Sequence, residues 1–388
     1  IVDKKTKMAV CKKNILRRRM AMKIIKKWIA CLMAVGMMLS LTACGVSGDQ
    51  VAVNKPQQKD PDAKKRIAVS MPTKDLQRWA QDGSNMKAQL EKQGYDVDIQ
   101  YANNDIATQV SQIENMIAVN PDVLVVASID GSALGTALQG AKGLGIPVIS
   151  YDRLIMQSDA VSYYATFDNE LVGELQGQYI EDKLDLKNAK GPFNIELFTG
   201  SSDDNNCNYF FGGAMKILQP YIDSGKLVVR SGSTTLAECA TANWSTEEAQ
   251  KRMENILAAY YQDGTKLDAV LSSNDSVANG ITNALVASYK GDFPILTGQD
   301  CDITSVKNII AGKQSMSIFK DTRQLASKVV EMVTAIIEGK EVPVNDTESY
   351  DNGKGIVPTY LCQPVFADQD NYKEVLIDSG YYKESDVK

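Results

Sequence analysis

Four short apolar runs in this chain each stop at a cluster of charged or amide side chains. They read Pro147-Val-Ile-Ser-Tyr151 then Asp152-Arg153, and Phe193-Asn-Ile-Glu-Leu-Phe198 then Ser201-Ser-Asp-Asp-Asn-Asn206. The other two are Ala269-Val-Leu-Ser-Ser273 then Asn274-Asp275, and Pro294-Ile-Leu-Thr297 then Gln299-Asp300. Apolar runs of this length read as buried parallel strands of an α/β fold. Ligands of such folds bind beyond the carboxyl ends of the strands, where these clusters fall. The clusters mix hydrogen-bond donors with acceptors. That mixture suits a neutral polyhydroxylated ligand, because every sugar hydroxyl both gives and takes a hydrogen bond.

Alternation of strands and helices supports the same class. From Lys65 onward, strands are expected at 66–71, 97–101, 122–127 and 147–151, with helices at 77–93, 105–119 and 134–143 between them. Gly94 is a helix stop, and Ile106, Val110, Ile113 and Ile117 form one apolar stripe. The rhythm restarts after Asp168-Asn169 with a helix at 171–183. Strands follow at 193–198, 227–231, 269–273 and 294–297, then a helix at 321–338 and an extended segment at 355–364. Right-handed crossovers turn this pattern into two doubly wound parallel-sheet lobes.

Composition removes several functions. The 388 residues hold 42 Lys and Arg against 48 Asp and Glu, a net charge of −6, which is no footprint of a nucleic-acid binder. There is no histidine, so a Ser-His-Asp or Cys-His site and any histidine-containing zinc site are ruled out. None of the seven cysteines forms a C-x-x-C pair. Gly140-Ala-Lys-Gly143-Leu-Gly145 lacks the spacing of a dinucleotide fingerprint, and neither a P-loop nor a D-x-D-x-D-G calcium loop is present. No metal, cofactor or enzymatic activity is expected.

The N-terminal stretch sets the expected compartment. Residues 22–44 read MKIIKKWIACLMAVGMMLSLTAC. Lys23, Lys26 and Lys27 precede an apolar run at 28–41, shorter than a membrane span of about 20 residues. Leu41-Thr42-Ala43-Cys44 resembles the bacterial lipobox, in which the cysteine is lipidated and the signal is cut before it. Met22 is the favoured start, residues 1–43 are upstream sequence and signal, and residues 44–66 are the lipidated Cys44 and a polar tether. The protein is therefore expected on the extracytoplasmic face of the membrane, held by lipid. The body keeps Cys207, Cys239, Cys301 and Cys362. Export permits oxidation, so Cys207 and Cys239 are candidates for a disulfide, with Cys301 and Cys362 the other pair.

From Lys65 to the C-terminus the chain resembles the type I periplasmic binding proteins, in the xylose-binding and multiple-sugar-binding branch that feeds ATP-driven importers. The segments that carry the likeness include SQIENMI (111–117), SYDRL (150–154), YYATFDNELVGELQ (163–176), GPFNIELFTGSSDDNN (191–206), SNDS (273–276), LTGQDCD (296–302), SIFKDT (317–322) and GYYKE (380–384). The resemblance implies two lobes joined by a three-crossing hinge, one holding 67–169 plus 321–345 and the other 170–320 plus 346–388. It implies a monomer that holds a monosaccharide of the xylose, glucose, galactose or arabinose type between the lobes and hands it to an importer permease. Presenting the closed state to a chemoreceptor or sensor kinase is the alternative.

Carried over residue by residue, the resemblance assigns sugar contacts to Arg78, Asp152 and Arg153 in the first lobe. In the second it assigns Asp204, Asn206, Trp244, Asn274 and Asp300, with Lys320 at a crossing. Trp79, beside Arg78, is expected to supply an opposing aromatic wall. Their chemistry fits: arginine and lysine donate, carboxylates accept, asparagine does both, and an indole covers the apolar face of a pyranose. One departure concerns a further arginine that some xylose-binding relatives carry after the Asp-Asn-Asn run. Here that stretch is Cys207-Asn-Tyr-Phe-Phe211, which favours the multiple-sugar branch.

Overall fold

The computed structural model describes residues 63–388, so the signal and Cys44 lie outside the described residues. The first sheet is built from β1 (Arg66–Met71), β2 (Asp96–Tyr101), β3 (Val123–Val126), β4 (Val148–Tyr151) and β5 (Val161–Phe167), with a late strand added at one edge. All its pairings are parallel, in the order β11-β5-β4-β3-β1-β2, where β11 (Thr359–Cys362) is the late strand. Parallel sheets need cover on both faces, and the alternation of side chains supplies it. Ile67, Val69, Val123 and Val125 face one apolar cluster; Ala68, Leu124 and Val126 face another. Helices α2 (Ile106–Ala118) and α3 (Gly135–Leu144) cover the second face, and α1 (Gln77–Lys92) covers the first.

The second lobe repeats the plan. It contains α4 (Asn169–Lys183), β6 (Phe193–Phe198), α5 (Asn206–Asp223), β7 (Leu227–Val229), the single-turn α6 (Leu236–Cys239) and α7 (Thr246–Tyr260). Then follow β8 (Ala269–Ser272), α8 (Asp275–Ser288), β9 (Ile295–Leu296), α9 (Ile303–Ile310) and β10 (Met316–Phe319). Its parallel sheet runs β7-β6-β8-β9, with helices α4 and α5 on one face and α7 and α8 on the other. The long α10 (Thr322–Glu338) returns to the first lobe and packs on α1, in the same cluster as Trp79 and Met86.

The last third corrects the expected boundaries. β11 (Thr359–Cys362) pairs in parallel with β5 of the first sheet, from Thr359 opposite Tyr164 to Cys362 opposite Phe167. β12 (Val365–Asp368) pairs antiparallel with β10 of the second lobe. Residues through Cys362 therefore belong with the first lobe, and the third crossing lies at 363–364, not near 345 as expected. β5, absent from the expected strands, provides the edge that β11 needs. Both helices that follow the first two crossings start on an aspartate cap: Asp168 accepts from Leu171 N–H, and Asp321 from Arg323 N–H.

The expected disulfides are not formed. Cys207, Cys239, Cys301 and Cys362 are all free and buried. Each lies in a different apolar cluster: Cys207 packs with Phe198 and Phe210, and Cys239 with Ile195 and Leu197. The thiols of Cys207 and Cys239 instead donate to the carbonyls of Ser201 and Ser233.

Candidate functional site

Between the lobes lies a small, narrow cavity lined by side chains of both. All ten residues assigned from the sequence line it: Arg78, Trp79, Asp152, Arg153, Asp204, Asn206, Trp244, Asn274, Asp300 and Lys320. They are brought there by strand ends and helix starts. Asp152 and Arg153 follow β4, Asp204 and Asn206 bridge β6 and α5, Asn274 follows β8, and Asp300 lies beyond β9. Leu76, Phe210 and Gln299 also line the cavity and were not among the expected residues.

The charged groups are paired across the site. Arg78 Nη2 meets Asp152 Oδ2 at 2.8 Å, and its Nη1 meets Asp300 Oδ1 at 3.5 Å across the lobes. Arg153 Nε lies 2.8 Å from Asp204 Oδ2, also across the lobes, while its Nη1 donates to the carbonyls of Ser128 and Ile129. Lys320 Nζ reaches Asp300 Oδ1 at 3.0 Å. Asn206 donates to the Asp152 carbonyl at 2.8 Å, and the backbone N–H of Asn206 donates to Asp204 Oδ1 at 3.0 Å. Such reciprocal pairing lowers the cost of holding so many charges away from water.

Electrostatics follow from burial and pairing. Burial pulls the Arg78 guanidinium down, but Asp152, Asp82 and Asp300 outweigh it and hold it above its ordinary value. Burial pushes Asp152 up, yet Arg78, Lys320 and Arg153 together bring it below the usual carboxylate range. Asp204 stays raised, because burial exceeds the attraction of Arg153. A site carboxylate beside two or three cations is thus kept ionised, an acceptor for hydroxyl protons.

Two aromatic groups shape the walls. Trp244 presses on Gly200, where an added Cβ would stand 2.2 Å from the indole, so only glycine fits. Phe210 packs edge-on against Trp244, with ring centroids 6.3 Å apart. The Trp244 indole N–H finds no acceptor among the described residues. Trp79 differs from the expected free wall. Its ring carries the Arg78 and Arg153 guanidiniums at 4.6 and 5.2 Å, so it serves as a platform for both arginines as well as part of the core.

Asn274 caps α8 by accepting from the Val277 N–H at 3.0 Å. Its carbonyl oxygen is therefore engaged, leaving the amide N–H₂ to face the cavity. Asp82 was missed, although it stands four residues after Arg78 on one helix and an ion pair at that spacing is readable. Gln299 stands in the polar cluster that follows the strand at 294–297, and Phe210 carries no sequence signal beyond an apolar helix position.

Two α/β lobes closed over a buried, hydrogen-bonding cavity define a two-lobed solute-binding protein. Residues 67–341 match the periplasmic binding protein domain, and the chain belongs to that family, whose members bind solutes without transforming them. It is 50% identical over 354 residues to the multiple sugar-binding periplasmic receptor ChvE of Rhizobium radiobacter, covering 90% of this chain and 99% of that protein. It is 38% identical to the D-xylose-binding periplasmic protein of Escherichia coli, covering 83% and 93%. Among solved structures, an ABC transporter solute-binding protein of Clostridium phytofermentans with bound β-D-glucose is 68% identical with a TM-score of 0.83, covering 84% of this chain and 100% of that one. A carbohydrate transporter solute-binding protein of Chloroflexus aurantiacus in complex with D-glucose is 36% identical with a TM-score of 0.75, covering 83% and 98%.

Proposed function

We propose that this protein captures a monosaccharide in the interlobe cavity and delivers it to an ABC sugar importer, held at the extracytoplasmic face of the cell membrane by a lipid on Cys44. The observation that carries the reading is the cavity lining. Donors and acceptors from both lobes converge on one small space bounded by Trp244 and Phe210. A pyranose needs this combination, with acceptors and donors around its rim and an apolar face against an indole. D-glucose is the first candidate, because two similar proteins hold it in their structures. Galactose, arabinose and xylose follow, in keeping with the multiple-sugar relatives.

Calorimetric titration with these four sugars tests the proposal. Saturable one-to-one binding of at least one of them, glucose foremost, is the expected result. Absence of heat and of any thermal shift with all four would overturn it, because a ligand that binds only the folded form must raise its midpoint.

A further inference from the structure

One of the three carboxylates around Arg78 does not face the cavity. Asp82 lies one turn along α1, is 0% exposed, and accepts from Arg78 Nε at 3.0 Å. Its other oxygen accepts from the hydroxyl of Tyr151, which is also fully buried and outside the cavity lining. We propose that Asp82 is a positioning residue for sugar capture: with Tyr151 it holds the Nε edge of Arg78, so that the two terminal nitrogens are aimed into the cleft. This rests on the sugar-binding reading above.

The guanidinium is a rigid planar fork, so fixing one edge and one face fixes the rest. Asp82 fixes the edge, and Trp79 supports the face at 4.6 Å. The remaining nitrogens then meet Asp152 at 2.8 Å within the lobe and Asp300 at 3.5 Å across it. An arginine ordered before the ligand arrives loses little freedom on binding, which is how preorganisation strengthens affinity.

The hold depends on charge. Burial lifts the Asp82 carboxyl to about 6, although Arg78 draws it down. Protonation below that value discharges the pair. The groups facing Asp82 are Arg78 on its own helix, Asp152 after β4, Tyr151 from β4, Tyr101 from β2 and Tyr381 from the C-terminal segment. Burial raises all three tyrosines, so they stay neutral, and Asp152 stays charged. Asp302, lifted by burial and by Asp300 to about 7, is the nearby carboxylate that also changes in this range.

The test is D-glucose affinity of the whole protein from pH 5 to 8, for wild type, Asp82→Asn, Tyr151→Phe and Asp302→Asn. Wild type should weaken about tenfold on acidification, the scale of one charge-assisted hydrogen bond. Asp82→Asn should be weakened about tenfold already at neutral pH and show no acid step. Tyr151→Phe should move the step to higher pH, because the lost hydroxyl stabilised the charged carboxylate. Asp302→Asn should keep the step. A folded Asp82→Asn with wild-type affinity and step, or a step lost only in Asp302→Asn, would overturn the proposal. If Asp82→Asn fails to fold, an unmoved step in Tyr151→Phe does so. Wild type that binds none of the four sugars removes the function itself; binding with unaltered variants removes only the role of Asp82.

Discussion

Three of the cavity residues hold unusual backbone. Asp152, Trp244 and Asp300 have φ of 60°, 56° and 94°. Aspartate tolerates the left-handed region, but a tryptophan there is strained, at a cost of order 1–3 kcal/mol. Such strain persists where the surroundings over-determine it. Here Gly200 leaves room for the indole, and the backbone N–H of Trp244 donates to the Thr241 carbonyl. Trp244→Ala should therefore weaken sugar binding by about 1–3 kcal/mol, the usual cost of removing a central aromatic anchor. The fold should survive, as read by an unchanged circular dichroism spectrum. Wild-type affinity in calorimetry would refute the stacking role.

The carboxylates make a second prediction at this scale. With no histidine in the chain, pH dependence near neutrality falls to carboxylates displaced from their ordinary range. Burial raises Asp82 to about 6 and Asp302 to about 7, and it raises Asp275 well above the ordinary range. Their unfolded values lie near 3.8, so the folded protein binds more protons than the unfolded chain between these limits. Stability is then fully expressed in acid and declines as pH rises through the folded values. For Asp82 alone the shift corresponds to roughly 3 kcal/mol. The sugar-free protein should melt at a higher temperature at pH 5 than at pH 8. A midpoint that rises with pH over this range would contradict it.

Elements position the site through close helix packing. Helices α4 and α5 approach along glycines: an added Cβ at Gly173 would stand 2.0 Å from the Phe210 carbonyl oxygen, and one at Gly213 would stand 2.2 Å from that of Glu170. Both obstacles are backbone, which cannot swing aside. Helix α5 begins at Asn206 and carries Phe210, so its placement sets one wall of the cavity. Gly213→Ala should destabilise the protein by about 1–3 kcal/mol through overpacking. It should also weaken sugar binding, because α5 must shift away from α4. Thermal unfolding and calorimetry together check this; a variant of wild-type stability would show that the seam yields freely.

At the scale of the whole molecule, the lobes meet through paired side chains. Arg78 reaches Asp300, Arg153 reaches Asp204, and Gln77 of the first lobe donates to the Tyr382 hydroxyl at 2.5 Å while accepting from the Ile303 N–H. These contacts belong to a closed arrangement, and opening would break them together. Three crossings, at 168, 320–321 and 363–364, are the places where rotation can be absorbed. A sugar shifts the open–closed equilibrium only by its preference for the closed state. Small-angle scattering should show a smaller radius of gyration with saturating glucose than without it. An unchanged radius, with binding confirmed in the same sample, would mean that the cleft is preformed. The anchor is tested separately: Cys44→Ser should lose acyl labelling and leave the membrane fraction or remain unprocessed, and unchanged labelling would dismiss Cys44 as the lipid site.

Much of this was readable from local pattern. Short apolar runs ending in polar clusters follow from the burial of parallel strands, and burial leaves its mark on each strand's own residues. The eight expected strands and the helices beginning near Gln77, Ile106 and Thr322 appear where periodicity placed them. The ten cavity residues were named through family likeness, and the structure gathers them around one space. Partnership was not readable. β11 is four residues long, and nothing within Thr359–Cys362 reveals that its neighbour is β5 nearly two hundred positions earlier. The same holds for the cysteines, whose separation into different clusters depends on how distant elements pack. Asp82 and Tyr151, sixty-nine positions apart, meet only through the packing of the folded lobe. Periodicity and burial are properties of a segment and its solvent, so sequence alone determined the elements. Strand partners, lobe boundaries and buried charge pairs are contacts between distant segments, and only the tertiary structure decided them.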